Sequence, residues 1–288
     1  MRIATKAGRS VLVSPDGVRT VDLAKMSDGR FGPEPRQTFD AWTDMRRWYG
    51  EASIDFAAHG EPIDLTELEP PSPDPRQVFA IGLNYRDHAA EAGLGFPETP
   101  TVFTKFLGSF CGPHSELVLS GETVDWEAEL VVVIGRTARD VTEADAWSYV
   151  AGVTAGQDFS ERETQLSGPA PQFSLGKSFT GFSPQGPWLV SIDELDDPND
   201  LGISCSVNGE TVQSSRTSQL IFGVPALIAH LSSVLPLWPG DVIFTGTPAG
   251  VGGARNPRWF LKPGDVVETG IEGVGMLRQV CVARDAAK

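Results

Sequence analysis

The longest run of apolar positions lies near the middle of the chain. Residues 124–135 carry Leu130, Val131, Val132, Val133 and Ile134 without a polar interruption and close on Gly135. Such a short run, rich in β-branched residues and ended by glycine, predicts a buried strand. Glu127 and Glu129 stand at its entrance, and strand alternation puts both on one face. Residues 149–159 predict a second core strand with Asp158 near its end. A short strand over residues 78–82 runs into one or two helical turns over residues 83–93, closed by Gly93. Asn208-Gly209 between residues 203–207 and 211–214 predicts a hairpin. Residues 222–234 read as an amphipathic helix with Pro225 near its start, and Thr142 reads as the N-cap of a short helix with Asp145 at the capping-box position. Residues 237–252 read as a turn, a strand and a glycine-rich loop. Pro263-Gly264-Asp265 repeats the Pro239-Gly240-Asp241 turn before the final strands.

Upstream of residue 78 the pattern weakens. Residues 2–4 and 11–13 suggest short strands with a Pro15-Asp16-Gly17 turn between β segments, and residues 39–49 suggest a helix ended by Gly50. Residues 1–66 are therefore expected to form a small N-terminal α+β domain. Four prolines within residues 67–76 predict an extended linker, and residues 77–288 form the main domain.

Composition adds limits. The 31 glycines and 22 prolines point to many turns and a mostly β fold with some α. A net charge of −15 with no basic block argues against a nucleic-acid partner. No apolar stretch is long enough to span a bilayer, and no signal-like segment opens the chain. Cys111, Cys205 and Cys281 have no metal-type spacing, and an odd, sparse count fits a reducing cytoplasm.

The candidate chemistry starts from carboxylates. Like charges on one strand face repel, and burying them unpaired is costly; a hard divalent ion such as Mg²⁺ or Mn²⁺ resolves both problems. Glu-x-Glu alone is short and common and favours two glutamates on a solvent-facing edge, so the case for a metal rests on the rest of the chain. Asp158 is the natural third oxygen ligand, or else a helix-initiating Asp for the segment that follows. His88 and Glu91 share a helix face as a base and its orienter, or as an exposed ion pair. Lys105 either snorkels or faces an anion. Lys177 sits in a constrained loop; its Gly-Lys-Ser lacks the upstream spacing of a phosphate-binding loop. His230 reads as a packed helix residue. Residues 93–100 read as a mobile lid or a plain surface loop, and the glycines of residues 246–252 allow backbone N–H groups to approach an anionic ligand.

Taken in order, Asn84-Tyr85-x-x-His88-x-x-Glu91, Glu127-x-Glu129, Asp158, Gly176-Lys177 and the run from Pro239 to Gly252 resemble the fumarylacetoacetate hydrolase superfamily over residues 78–282. The resemblance implies a rolled mixed β-sheet domain, a homodimer, and Mg²⁺ or Mn²⁺ on Glu127, Glu129 and Asp158. It implies His88, Glu91 and Lys177 as catalytic residues, the His88–Glu91 pair on a segment that orders with substrate and Lys177 beside the metal, and Tyr85, Lys105, Gln157 and Thr247 as substrate-binding ones. The activity it implies is metal-dependent C–C hydrolysis of an acylpyruvate or 2,4-diketo acid to pyruvate and a carboxylic acid. Oxaloacetate-type decarboxylation and keto–enol or double-bond isomerisation use the same metal–enolate centre, and a non-catalytic keto-acid binder is a remaining alternative. Thr180-Gly181 replaces the Asp-Thr frequent in relatives, and Gln157 replaces an Asn, so substrate choice is less constrained than metal binding.

Overall fold

The computed structural model describes residues 1–91, 93 and 95–284. Among them, strand Ala128–Ile134 is buried along its whole length. Its two faces enter two different cores. Leu130, Val132 and Ile134 pack with Ile203, Val207 and Leu277; Val131 and Val133 pack with Val242, Phe244, Leu12 and Trp42. A strand covered on both sides needs a continuous apolar run rather than alternation, which is the pattern seen in the sequence.

Around this strand a mixed sheet is ordered Glu61–Pro62, Arg19–Asp22, Arg9–Val13, Arg2–Lys6, Ser183–Val190, Val150–Gln157, Ala128–Ile134, Val242–Phe244, Val78–Gly82, Thr101–Phe103. Val242–Phe244 and Val78–Gly82 run parallel, and the other neighbours in this order are antiparallel. A second sheet, Glu210–Arg216, Gly202–Val207, Val266–Ile271, Gly275–Ala283 and His114–Leu119, packs on one face of the first. Asn208 and Gly209 form the expected hairpin turn with positive φ at both positions, a conformation Asn-Gly accepts readily.

The N-terminal residues depart from expectation. Residues 1–66 do not stand apart: Arg2–Lys6 pairs with Ser183–Val190, and Met1, Ile3, Leu12 and Met45 share a core with Val131 and Phe244. The Pro-rich stretch is not a free linker either. Leu68–Glu69 pairs with Arg2–Lys6, Pro70, Pro71 and Ser72 are buried, and the Ser72 hydroxyl donates to the Gly240 carbonyl at 2.7 Å. Prolines forbid helix but suit an extended strap whose N–H groups have no ladder to join.

Local boundaries also shift. The helix expected over residues 39–49 is two helices, Pro35–Asp40 and Trp42–Glu51, and Gly50 lies inside the second. Thr142 precedes a 3₁₀ helix, and its hydroxyl donates to the Asp145 carboxylate at 2.8 Å instead of capping the backbone. The amphipathic helix runs Val224–Val234 with Pro225 in its first turn and Leu227, Ile228 and Leu231 buried. Within the expected loop over residues 93–100, Leu94 lies outside the described residues, as does Ala92 just before it; Phe96 is exposed.

Candidate active site

Antiparallel register brings the carboxylates together. Ala128 pairs with Gln157 and Glu129 with Gly156, so Glu127 and Asp158 meet at one end of the pair, where the Asp158 N–H donates to the Glu127 carbonyl at 2.9 Å. Ligating oxygens of Glu127, Glu129 and Asp158 all lie within 4.8 Å of one another, and all three residues are buried. Cations surround two of them. Lys177 Nζ reaches Glu127 at 2.7 Å and Asp158 at 2.6 Å, Arg162 reaches Glu127 at 2.7 Å, and Lys105 Nζ contacts Asp158 and the Lys177 carbonyl. Burial works against the ionised form of Glu127, but Lys177 and Arg162 outweigh it and hold the carboxyl at about 2. Glu129 differs: it accepts a 2.8 Å hydrogen bond from the Gly246 N–H and makes no ion pair among the described residues. Burial, then Asp158 and Glu127, push it well above the usual carboxylate range. Three oxygen donors, one of them without a cation, suit a hard divalent ion, and these residues would hold Mg²⁺ or Mn²⁺.

Facing this cluster is a cavity of about 530 Å³, lined among others by His88, Glu91, Glu127, Lys177, Thr247 and Arg258. His88 and Glu91 lie on helix Arg86–Glu91, with His88 Nδ1 3.3 Å from Glu91 Oε2. Glu91 also accepts the Gly250 N–H at 3.1 Å, which ties the helix to the glycine-rich loop. Asn84 anchors the start of this segment by donating to the Thr245 and Phe222 carbonyls and accepting the Phe222 N–H. Thr247 is positioned by Gln213, whose amide donates to its hydroxyl at 2.8 Å. Lys177 caps the short helix Phe173–Gly176, so its loop is constrained as expected.

Three of the expected substrate-binding residues are not on the cavity wall. Gln157 is fully buried; it accepts the Glu127 N–H at 2.8 Å and donates to Thr269 at 2.7 Å, so it positions a carboxylate from behind. Lys105 is fully buried against Asp158 and faces an internal anion. Tyr85 is also fully buried, with no hydrogen-bond partner for its hydroxyl among the described residues. The core covers all three, and Gln157 and Lys105 touch the carboxylate cluster from behind.

Two functional residues were not foreseen. Asp125 accepts N–H groups of Gly252 at 2.7 Å and Gly253 at 2.8 Å, and pairs with Arg162 at 2.8 Å. Arg162 then bridges Asp125 and Glu127. A Cβ at Gly252 would sit 1.8 Å from the Trp259 carbonyl oxygen and 2.9 Å from Asp125, so only glycine fits this crossing. In the sequence Asp125 stands two residues before Glu127 and Arg162 four after Asp158, and neither spacing by itself points to a pairing.

The model of the fumarylacetoacetate (FAA) hydrolase C-terminal family matches residues 77–282. The chain belongs to the fumarylacetoacetate hydrolase family. Human mitochondrial oxaloacetate tautomerase FAHD2A is 45% identical over 237 residues, covering 79% of this chain and 76% of that protein. A solved Mycobacterium smegmatis protein, provisionally called HpcE, is 54% identical with a TM-score of 0.93, covering 98% of this chain and 99% of that one. Maleylpyruvate hydrolase from Sphingobium sp. SYK-6, solved with manganese(II) and pyruvate, is 28% identical with a TM-score of 0.78, covering 98% and 99%. The resemblance and the mostly β mixed-sheet fold expected from the motifs are thereby confirmed. Tautomerase, isomerase and hydrolase names all occur among family members at this similarity.

Proposed function

We propose that this chain is a divalent-metal-dependent enzyme that interconverts the keto and enol forms of a 2-keto diacid of the oxaloacetate class. The observation that carries the reading is one cavity lined by His88 and Glu91 that reaches a buried three-carboxylate cluster through Glu127. Its support beyond geometry is the 45% identity to oxaloacetate tautomerases over about three quarters of the chain.

A cation held by Glu127, Glu129 and Asp158 would supply Lewis-acid polarisation of a 2-keto oxygen. The rest is done by this chain's own groups. Glu91 accepts from His88 Nδ1 and leaves Nε2 to take the C3 proton of the substrate. Lys177, already cationic between Glu127 and Asp158, stabilises the developing negative charge at the 2-oxygen. His88 then returns its proton to that oxygen, and the sequence reverses for ketonisation. No water needs to attack and no carbon–carbon bond breaks. Thr247 and Arg258 offer a hydroxyl and a guanidinium for the two substrate carboxylates.

Hydrolysis of an acylpyruvate is the second reading, and the wall composition favours it. Ile81, Leu83, Phe103, Phe173 and Phe260 give the cavity an apolar side larger than a four-carbon diacid requires. There His88 would deprotonate water instead of carbon. The deciding experiment uses Mg²⁺- or Mn²⁺-loaded protein in deuterated buffer. Metal-dependent entry of deuterium at C3 of oxaloacetate, faster than buffer alone and without pyruvate release, supports tautomerisation. Pyruvate released from a short acylpyruvate, without accelerated exchange, moves the assignment to hydrolysis; pyruvate from oxaloacetate moves it to decarboxylation.

A further inference from the structure

The strand that carries Glu129 at one end carries a different arrangement at the other. Past Ile134, a cleft of about 360 Å³ opens between Gly135, Arg136 and Ser148 on one side and Trp42, Arg46 and Arg47 on the other. We propose that this cleft binds a small, multiply charged oxyanion.

Three observations converge on it. Three arginines line this cleft on a chain whose net charge is −15. The Trp42 side chain is buried, with the residue 4% exposed, yet its indole N–H has no hydrogen-bond partner among the described residues. A buried donor left unpaired is costly, and a ligand acceptor would satisfy it after a small shift of the indole edge toward the cleft. Helix Trp42–Glu51 starts at this residue, but only Ala41 separates it from the end of helix Pro35–Asp40 and Asp44 lies in its first turn, so the attraction for an anion comes from the arginines. Finally, Gly135 makes room: a Cβ there would lie 2.7 Å from Trp42 Cδ1, the carbon bonded to the indole nitrogen, so the N–H edge reaches the strand end.

The arginines are partly pre-positioned. Arg136 stacks on the Tyr149 ring with its guanidinium carbon 4.0 Å from the ring centroid and donates to the Ser148 hydroxyl at 2.8 Å. Arg46 pairs with Asp193 at 3.0 Å and Arg47 with Asp44 at 3.1 Å. Each of these acids occupies part of one guanidinium, which has five N–H donors, so donors remain for a ligand. The cleft lies roughly 25 Å from Glu127 by the rise of the intervening strand, so its anion is not a substrate of the cavity. A phosphate-bearing metabolite and a polycarboxylate share the required chemistry.

The test titrates the metal-loaded full chain with inorganic phosphate, and separately with tricarballylate, at constant ionic strength with chloride as the balancing ion. The readout is the indole N–H resonance of Trp42, assigned by its loss in Trp42→Phe. A saturable shift, weakened about tenfold or more in Arg136→Gln, is expected for at least one anion. A response to phosphate alone identifies a phosphate-bearing ligand, and a response to tricarballylate alone identifies a polycarboxylate. Arg136 is exposed, so Arg136→Gln keeps the fold and carries the comparison, by calorimetry, even if Trp42→Phe does not fold. No saturable binding of either anion, or equal affinity in Arg136→Gln, overturns the proposal.

Discussion

Glu127, Glu129 and Asp158 are at most 7% exposed and are locked by lysines, an arginine and backbone N–H groups from four segments. His88 and Glu91, across the same cavity, have side chains 17% and 24% exposed and meet through one 3.3 Å contact. The first group is over-determined by the core; the second hangs on a six-residue helix tied down by Asn84 and Gly250. A site built this way keeps its charge-binding end constant while its proton-handling end adjusts to each substrate. That division fits a family whose members carry tautomerase, isomerase and hydrolase names on one fold.

Removing the constant end should have the largest effect. Chelation, or Asp158→Asn, is expected to reduce turnover to the buffer background, with Mg²⁺ or Mn²⁺ restoring the chelated wild type but not the variant; steady-state rates check this. His88→Gln should lower kcat by about 10²–10⁴ while metal affinity measured by calorimetry stays unchanged. If metal affinity fell as well, the two ends would not be separable. Asp125→Ala comes next, because it leaves two loop N–H groups without their acceptor and Arg162 with Glu127 as its one remaining carboxylate among the described residues. Leaving buried donors without an acceptor costs about 1–3 kcal/mol, to be read by denaturant unfolding, and turnover should fall with it.

Acid–base behaviour sharpens the comparison within the buried end. Without metal, Glu129 holds its proton to higher pH in the folded than in the unfolded chain. Its contribution to stability is therefore full below its ordinary value and is lost as pH rises toward its raised folded value. Metal binding needs the carboxylate, so affinity should climb with pH across that window by up to about tenfold per unit. Calorimetric titrations at several pH values above the ordinary carboxylate range would show it, and a flat profile would contradict it. Glu127, held at about 2, acts oppositely: its stabilisation is present above its ordinary value and lost as pH falls toward 2. Tyr85→Phe should have the smallest effect, less than about 1 kcal/mol on unfolding and little on KM, because the hydroxyl it removes has no partner.

Much of the site could be read in advance because strand periodicity and strand ends are local properties. Glu127 and Glu129 share a face by alternation, and Asp158 follows directly on an apolar run. Arg162 and Asp125 could not be read, because their roles come from a crossing between residues 125, 162 and 252 that depends on tertiary packing. Gln157 and Tyr85 sit beside legible motif residues, but adjacency in sequence does not say which side of a carboxylate a neighbour occupies. The proline stretch misled for a related reason: composition forbids helix there but carries no information about burial.

The pairing of Arg2 with Val190 has a consequence for how the chain is made. The amino-terminal hairpin leaves the ribosome early, yet the strand it must join follows only after most of the chain. At about 5–20 residues per second, that is roughly ten seconds or more with an unpaired edge exposed. Over that interval the nascent chain has to be shielded from premature strand association, so synthesis rate and chaperone supply, more than final stability, should limit the yield of active protein.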